Sequence, residues 1–484
     1  MMGKTLRWSA THTWQPAGSN VIFKQFYLES LGHASYLIGS EETGEAFVLD
    51  PRRDVEIYFD EARAHALRIC YAADSHQHND YLSGCFELTA RAEVALLSGV
   101  HSQVKYQARR LANAERLEMG EVTFEVLHTP GHTPEHISIL VRDRSRGEAP
   151  ALFLSGGALL VGDVGRPDLL GGREQTEQHA SQLCHTLKEK VLTLDDFVEV
   201  YPTHVAGSLC GGHISSRLST TIGYERRMNK MLAGMTSKTD FLKKCVDLDA
   251  LPGVPPYWKR MRTLNTEGPP LLGVLPEPPA LQPETVHETI QHGAIVLDCR
   301  SPEAFAGGHI PGALNAGLGP SFPVWAGTVL PAGTPYVVVL EQHEDLSKVC
   351  WHLLRIGFEM PHGWLAGGML AWRTAALPIR IMPEWTVWDL EKKMKERNVL
   401  ILDVRQPDEW RAGHIEGAMY LSGAELPKRV HDVPKNRPVA VICGSGYRSS
   451  VSASLLLHEG HPDVTNVLGG MAAWKRAGLP VTKG

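Results

Sequence analysis

The strongest constraint on this chain is an internal duplication in its C-terminal half. The segment LDCRSPEAFAGGHIPGA at 297–313 recurs as LDVRQPDEWRAGHIEGA at 402–418, keeping Asp298/Asp403, Arg300/Arg405, Pro302/Pro407, His309/His414 and Gly312/Gly417 at an offset of 105. GGMLAW at 367–372 recurs as GGMAAW at 469–474 at an offset of 102, so the second copy is three residues shorter inside. Self-similarity at this period marks a unit that folds once and then again. Each copy alternates short β-rich runs (AIVLD, YVVVL; VLILD, PVAVI) with helical patterns (DLSKVCWHLLRIG; SSVSASLLLHEG). That alternation is the signature of βαβ units, so two small doubly wound parallel-sheet domains are predicted at 285–380 and 381–484.

Upstream, residues 251–284 are rich in Pro and Gly and read as a linker. Residues 21–250 hold many strand-like runs, among them VIFKQFYLES, ASYLIGS, VTFEVLHTP and ALFLSG, with helices between them. These are too many strands for one ordinary sheet, and a two-sheet α/β sandwich is the expected solution. Residues 1–20 match no element and read as a flexible extension. The 484 residues are enough for about three domains. With 43% hydrophobic and 21% charged residues the chain is not disordered. A net charge of −6 offers no basic field, which argues against nucleic acid as a partner. No apolar run approaches the roughly 20 residues of a membrane span, and the first twenty residues lack a signal-peptide core. A cytoplasmic protein with no membrane partner is expected, and the eight dispersed cysteines read as reduced thiols rather than a disulfide framework.

The chemistry of the N-terminal half concentrates in a few motifs. ADSHQHNDYLSG at 73–84 places His76, His78 and Asp80 on alternate positions just after a strand, and TPGHTPEH at 129–136 adds His132. A bend after the strand aims several such ligands at one point, as a metal site requires. Together with GDVGRPDL at 162–169, these motifs resemble the metallo-β-lactamase superfamily, whose fold is an αββα sandwich. VYPTHVAGSLCGG at 200–212 and STTIGYERRMN at 219–229 look like its persulfide dioxygenase branch. The likeness covers about residues 21–265. It implies one non-haem Fe(II) held by two histidines and an aspartate, the histidines being His76 and His132, with zinc as the other candidate metal.

The position of the family's aspartate is occupied here by Gly157, within SGGAL at 155–159. Tyr81 stands where hydrolytic relatives carry a further histidine, so a dinuclear hydrolase is disfavoured. Water, an anion, His78 or a rearranged Asp163 are the candidates to fill the missing position, and Asp80 is a further candidate ligand. His204 sits where the second-metal histidine would be and reads as a hydrogen-bonding residue before a ligand. Arg166, Tyr224 and Arg226 are candidate contacts for an anionic thiol substrate, with structural ion pairing the competing explanation.

In the second C-terminal copy a strand is followed by Cys443-Gly444-Ser445-Gly446-Tyr447-Arg448-Ser449 and then a helix. A glycine-rich loop at a helix N-terminus aims successive backbone N–H groups inward, a nest suited to a thiolate or a persulfide sulfur. Arg448 adds a fixed positive charge. The repeated LDxRxPxE/D pattern, this loop and GGMxAW resemble the rhodanese family over about 284–380 and 384–484. The resemblance implies that Cys443 is the nucleophile and transient persulfide carrier. In the first copy Glu341 stands opposite Cys443 and EQHEDL opposite CGSGYR, so that copy lacks the nucleophile and reads as a structural or docking module. Asp298/Arg300 and Asp403/Arg405 occur in both copies and read as fold-holding ion pairs.

The combined resemblance implies an enzyme of sulfur metabolism. Its N-terminal domain would oxidise a low-molecular-weight thiol persulfide, of glutathione or an equivalent, to sulfite with O2. Its C-terminal domain would pass sulfane sulfur between persulfide, sulfite and thiosulfate. The alternative is a sulfurtransferase whose N-terminal domain has lost metal catalysis with Gly157 and serves binding or dimerisation. A homodimer is expected, and fusion would raise the local concentration of a shared intermediate.

Overall fold

The computed structural model describes residues 10–14, 19–233, 235, 237–245, 251, 253–396 and 398–483. They divide into two compact units, one of residues up to 251 with 258–274, the other of 252–257 with 275–484.

Among the described residues the N-terminal unit contains a seven-stranded and a six-stranded sheet. The first runs in chain order from Ala10–Trp14 through Val21–Leu28, His33–Ser40, Glu45–Leu49, Arg68–Ala73 and Ala95–Gly99 to Arg109–Leu111. The second has the order Thr220–Thr221, Glu199–Pro202, Leu152–Gly156, Ile137–Asp143, Val122–His128, Arg116–Met119. The period-2 alternation of side chains assigns each strand two apolar faces. Leu152 and Leu154 join Phe23, Tyr36, Ile38, Phe124 and Tyr201 in the core between the sheets. Phe153, between them in sequence, joins Leu140, Leu183 and Leu187 under the helix Arg173–Thr186. Ile22 and Leu37 turn the opposite way, onto Tyr58 and Ala62 of the helix Glu56–Ala64. Strands buried on both faces need a helix outside each sheet, and the αββα sandwich follows.

Two stretches depart from the expectations. Residues 10–14, expected within a flexible extension over 1–20, form an edge strand antiparallel to Val21–Leu28, with Trp14 opposite Phe23. That strand takes up the outer backbone groups of Val21–Leu28, which would otherwise be an open sheet edge. The rest of the expected extension up to residue 18 lies outside the described residues. Within the segment read as a linker, Trp258–Glu267 is a helix of the N-terminal unit, burying Trp258, Met261 and Asn265.

Each C-terminal copy forms a parallel sheet that has five strands among the described residues. The first has the order Ala280–Leu281, Gly363–Leu365, Tyr336–Val339, Ile295–Asp298, Leu314–Asn315. The second repeats it with Glu384–Trp385, Val464–Val467, Val439–Ile442, Leu400–Asp403, Met419–Tyr420. The helix Tyr447–His458 of the second copy also contacts the first. Ser450 Oγ donates to Asn315 Oδ1 at 2.8 Å, Asn315 N donates to Ser454 Oγ at 2.8 Å, and Tyr447 Oη donates to Gly317 O at 2.8 Å. This explains why Ser450 and Ser454 are buried on that helix: they form a polar seam between the two copies.

The duplicated acid–base pairs adopt the same geometry. Arg300 Nη2 donates to Asp298 Oδ2 at 2.6 Å and to Gly308 O at 2.9 Å; Arg405 Nη2 donates to Asp403 Oδ2 at 2.6 Å and to Gly413 O at 3.0 Å. Both carboxylates are fully buried, and each arginine ties a strand end to the loop ten or so residues on. His309 stacks on Phe305 and His414 on Trp410, at 3.8 and 3.6 Å between ring centroids. Removing Asp403 as Asp403→Ala strands a buried guanidinium, which costs about 3–5 kcal/mol. Chemical denaturation should show that loss, with a similar one for Asp298→Ala; unchanged stability would contradict a fold-holding role.

Candidate functional site

Strand Arg68–Ala73 ends in a loop, and that loop turns His76 inward. His76 Nδ1 lies 2.9 Å from Ser75 Oγ, which leaves Nε2 facing the pocket. His132, on the loop after strand Val122–His128, donates from Nδ1 to Arg166 O at 2.9 Å, and its Nε2 points the same way. His204 follows strand Glu199–Pro202, its Nε2 lies 3.2 Å from His76 Nε2, and its Nδ1 lies 3.4 Å from Asp80 Oδ2. One ring nitrogen from each of the three residues belongs to a set whose members all lie within 4.8 Å of one another. All three rings are buried.

Burial holds His76 and His132 well below the ordinary imidazole range, with the neighbouring histidines adding to it. Both are therefore neutral, the form that can ligate a metal. Burial alone would push Asp80 up, but His204 outweighs it and brings the carboxyl down to about 2. Burial would likewise push His204 down, and the facing Cys210 and Asp80 raise it instead.

His78 and Asp80 join His204 in a second set whose ligand atoms also lie within 4.8 Å of one another, and the remaining candidates lie apart. His78 Nε2 is 2.9 Å from Asp50 Oδ1, and the same carboxylate accepts from Ser75 N at 2.6 Å and from Thr203 Oγ1. Its ring stacks on Tyr81 at 4.4 Å, so His78 belongs to a supporting network. Asp50 stands at φ 53°, a left-handed backbone that a non-glycine residue adopts only where its surroundings enforce it. Asp163 Oδ2 accepts from Gly212 N and His213 N at 2.8 and 2.7 Å and pins that loop. The Arg166 side chain is paired with Asp168 at 2.6 Å, so its contribution at the pocket is its backbone carbonyl. Arg226 is committed to Asp196 and to the carbonyls of Leu192 and Leu194. Tyr224 is exposed, with the Arg217 guanidinium 4.9 Å from its ring centre.

Gly157 is more than a missing carboxylate. A Cβ at that position would lie 2.3 Å from His132 Cδ2 and 2.9 Å from its Nε2, so the His132 ring fills the space a side chain would need. Gly157 N donates to His136 Nε2 at 2.8 Å, which occupies that histidine as well. The set His76, His132 and His204 therefore lacks the carboxylate of a two-histidine, one-carboxylate iron site, and the carboxylate that the structure brings to these histidines is Asp80, in a second set with His78 and His204.

In the second C-terminal copy the loop 443–449 folds around the Cys443 sulfur. Gly446 N donates to Sγ at 3.1 Å and Ser449 Oγ lies 3.3 Å from it. Gly446 has φ 113°, which requires glycine and turns its N–H inward. The repeated GGM motif supports the loop from below: Met471 N donates to Cys443 O at 2.8 Å, and a Cβ on Gly470 would sit 2.4 Å from that oxygen. Arg448 forms two bonds to Glu409, at 2.6 and 2.8 Å. Burial works against the Arg448 charge, but Glu409 and Cys443 outweigh it and raise its pKa. In the first copy the equivalent loop is exposed, and Cys350 is buried on the helix Leu346–Arg355, where burial pushes its thiol up to about 12.

Three supporting residues were not singled out from sequence. Asn265 donates to His78 O and Tyr81 O at 2.9 and 2.8 Å and accepts from Ser83 N at 3.0 Å, clamping the histidine loop. Asp50 had no motif to mark it. Glu409 did carry a signal: at the repeat offset its counterpart is Ala304, while Arg448 faces Leu346, so both partners of the pair are absent together from the first copy.

A rhodanese-like domain model matches residues 282–375 and 386–477. The C-terminal half is similar to a sulfurtransferase of Allochromatium vinosum, 39% identical over 84 residues, covering 17% of this chain and 78% of that protein. The N-terminal region is similar to the mitochondrial persulfide dioxygenase ETHE1 of Homo sapiens, 26% identical over 198 residues, covering 39% of this chain and 70% of that one. A metallo-β-lactamase structure from Staphylococcus aureus subsp. aureus COL is 30% identical with a TM-score of 0.65, covering 72% of this chain and 99% of that chain. Among the described residues no helix is long and apolar enough to cross a membrane.

The Asn265 clamp gives a direct test of how the loop 76–83 is held. Asn265→Ala removes three bonds to buried backbone groups, each worth about 1–3 kcal/mol when left unsatisfied. Hydrogen exchange in the peptide 76–84 should accelerate at least roughly tenfold. Unchanged exchange would show that other contacts hold the loop.

Proposed function

Because this chain belongs to the rhodanese family in its C-terminal half and carries a metallo-β-lactamase fold in its N-terminal half, we propose that it moves sulfane sulfur through Cys443. The observation that carries this reading is the loop 443–449 folded around the Cys443 sulfur, with Gly446 N donating to it at 3.1 Å. The Cys443 thiolate attacks the outer sulfur of thiosulfate. The S–S bond breaks, sulfite leaves with its electron pair, and Cys443 holds a persulfide. An acceptor thiolate then attacks the outer sulfur of that persulfide, forming a thiol persulfide and returning the Cys443 thiolate. The same steps run in reverse when a low-molecular-weight thiol persulfide is the donor and sulfite the acceptor. Backbone donors serve both directions because they stabilise the anionic sulfur whichever partner has just left.

A second reading, oxidation of a thiol persulfide to sulfite by O2 in the N-terminal half, is favoured by the likeness to ETHE1 and by the convergence of His76 and His132. Gly157 stands against it, and no step through iron follows from the residues present. Oxygen uptake with glutathione persulfide, using iron-reconstituted protein and a His132→Ala control, decides this reading.

For the first reading, sulfite release from thiosulfate with a thiol acceptor should vanish in Cys443→Ser and persist in Cys350→Ser; the opposite pattern would sink it. Arg448→Ala leaves Glu409 as an unpaired negative charge beside the anion site, and kcat/KM for thiosulfate should fall roughly 10- to 100-fold. Adding Glu409→Ala should recover part of that loss, the signature of coupled partners. A double variant no better than Arg448→Ala would mean that the ion pair does not set the charge at the loop.

A further inference from the structure

With Cys443 as the proposed sulfur carrier, on which this reading rests, we infer that Asn466, held in orientation by Glu384, is a positioning residue for the transfer. It gives the Ser449 hydroxyl a second acceptor, so that one proton turns to the Cys443 sulfur when that sulfur is a thiolate and to Asn466 when it carries the persulfide.

A serine hydroxyl has one proton to give. Ser449 Oγ lies 2.6 Å from Asn466 Oδ1, 3.0 Å from Gly446 O and 3.3 Å from Cys443 Sγ, and all these side chains are buried. Gly446 O already accepts from Ser450 N at 3.2 Å. The other end of the Asn466 amide lies 3.2 Å from Glu384 Oε1. A carboxylate only accepts, so Nδ2 faces Glu384 and Oδ1 faces Ser449. Oδ1 has no proton to give, so the 2.6 Å bond is made by the Ser449 proton, and the hydroxyl turns a lone pair toward the sulfur.

The charge on that sulfur changes during transfer. A thiolate at Sγ is the strongest acceptor within reach of the hydroxyl, because a hydrogen bond to an anion is worth about twice one between neutral groups. Once sulfite has left, Sγ is bonded to the outer sulfur, the negative charge sits on that outer atom, and the proton returns to Asn466 Oδ1. Ser449 thus favours the unloaded thiolate and Asn466 the loaded persulfide. The two copies differ accordingly. Glu384 and Asn466 are register partners in the second sheet, and the same places in the first hold Ala280 and Trp364. There Trp364 stacks on His343 at 4.5 Å between ring centroids. Ser347 keeps the place of Ser449 at the offset of 102. The serine occurs with and without the cysteine, whereas the asparagine and the glutamate accompany it.

The test is the loading equilibrium of the full-length chain with thiosulfate and sulfite at fixed ratios, near pH ~9.5, above the ordinary thiol value of about 8.5. Mass spectrometry reads the share of chains with one sulfur added at Cys443. Ser449→Ala removes the donor to the thiolate and should raise the persulfide-to-thiolate ratio roughly tenfold or more; Asn466→Ala should lower it roughly 3- to 10-fold. Glu384→Ala, on the partly exposed edge strand Glu384–Trp385, frees the amide to reverse and should also lower the ratio. Glu384→Gln keeps an acceptor for Nδ2 and should stay within about twofold of the unmodified chain. Circular dichroism checks that each variant is folded, and Glu384→Ala carries the test if Asn466→Ala does not fold. A role limited to packing would move Ser449→Ala and Asn466→Ala in the same direction. That result, or an unchanged ratio in folded Asn466→Ala or Glu384→Ala, would overturn the inference while leaving Cys443 as carrier. An unmodified chain that gains no sulfur at any ratio would overturn the carrier reading and this inference with it.

Discussion

An imidazole in a dry pocket has two nitrogens to satisfy, and whichever partner takes the first decides where the second points. That constraint organises the N-terminal half of this chain. Ser75 Oγ, Arg166 O and Asp80 stand behind His76, His132 and His204, and one nitrogen of each ring lies within 4.8 Å of the others, on loops that follow three different strands. Asp50 does the opposite to His78, taking its Nε2 and withdrawing it from the centre. The two-sheet sandwich exists around this arrangement: its strands end at one edge, and the loops leaving them carry the histidines and their partners.

The C-terminal half shows the same logic applied to sulfur. Two copies share the Asp–Arg pair, the stacked histidine and the GGM turn, all of which hold the sheet and its loops in register. They differ where chemistry would occur. The second copy has Cys443 with a donor from Gly446 N and a charge pair between Arg448 and Glu409; the first has Glu341, Leu346 and Ala304 at those positions. The first copy keeps a physical role, because Asn315 and Gly317 bond the helix that begins in the active loop. The duplicated fold thus carries the cysteine loop in one copy and uses the other to hold the helix that follows it.

Much of this was legible in the sequence. Period-2 apolar runs give the sandwich strands, and the tandem match gives two doubly wound domains, because both patterns reflect which faces must be buried. His76, His132 and Cys443 stand out because their motifs are short in sequence. Other features escaped because their meaning lies in distant contacts. Asn265 sits in a Pro- and Gly-rich stretch that reads as a linker, yet it clamps a loop more than 180 residues earlier. The strand at Ala10–Trp14 is only five residues long and acquires its meaning from the edge it covers. His204 reads as a hydrogen-bonding residue in sequence, but its partners, Asp80 and His76, lie more than 120 residues earlier and are not legible there.

The central claim is that Cys443 carries sulfur covalently during turnover. Intact-mass and peptide mass spectrometry of the full-length chain, after brief exposure to thiosulfate and removal of excess donor, tests it without reference to any product assay. The account predicts a mass gain of one sulfur atom, mapped to the peptide containing Cys443 and discharged by sulfite or a thiol acceptor. An unmodified Cys443 peptide, or the extra sulfur on another of the buried cysteines, would contradict it.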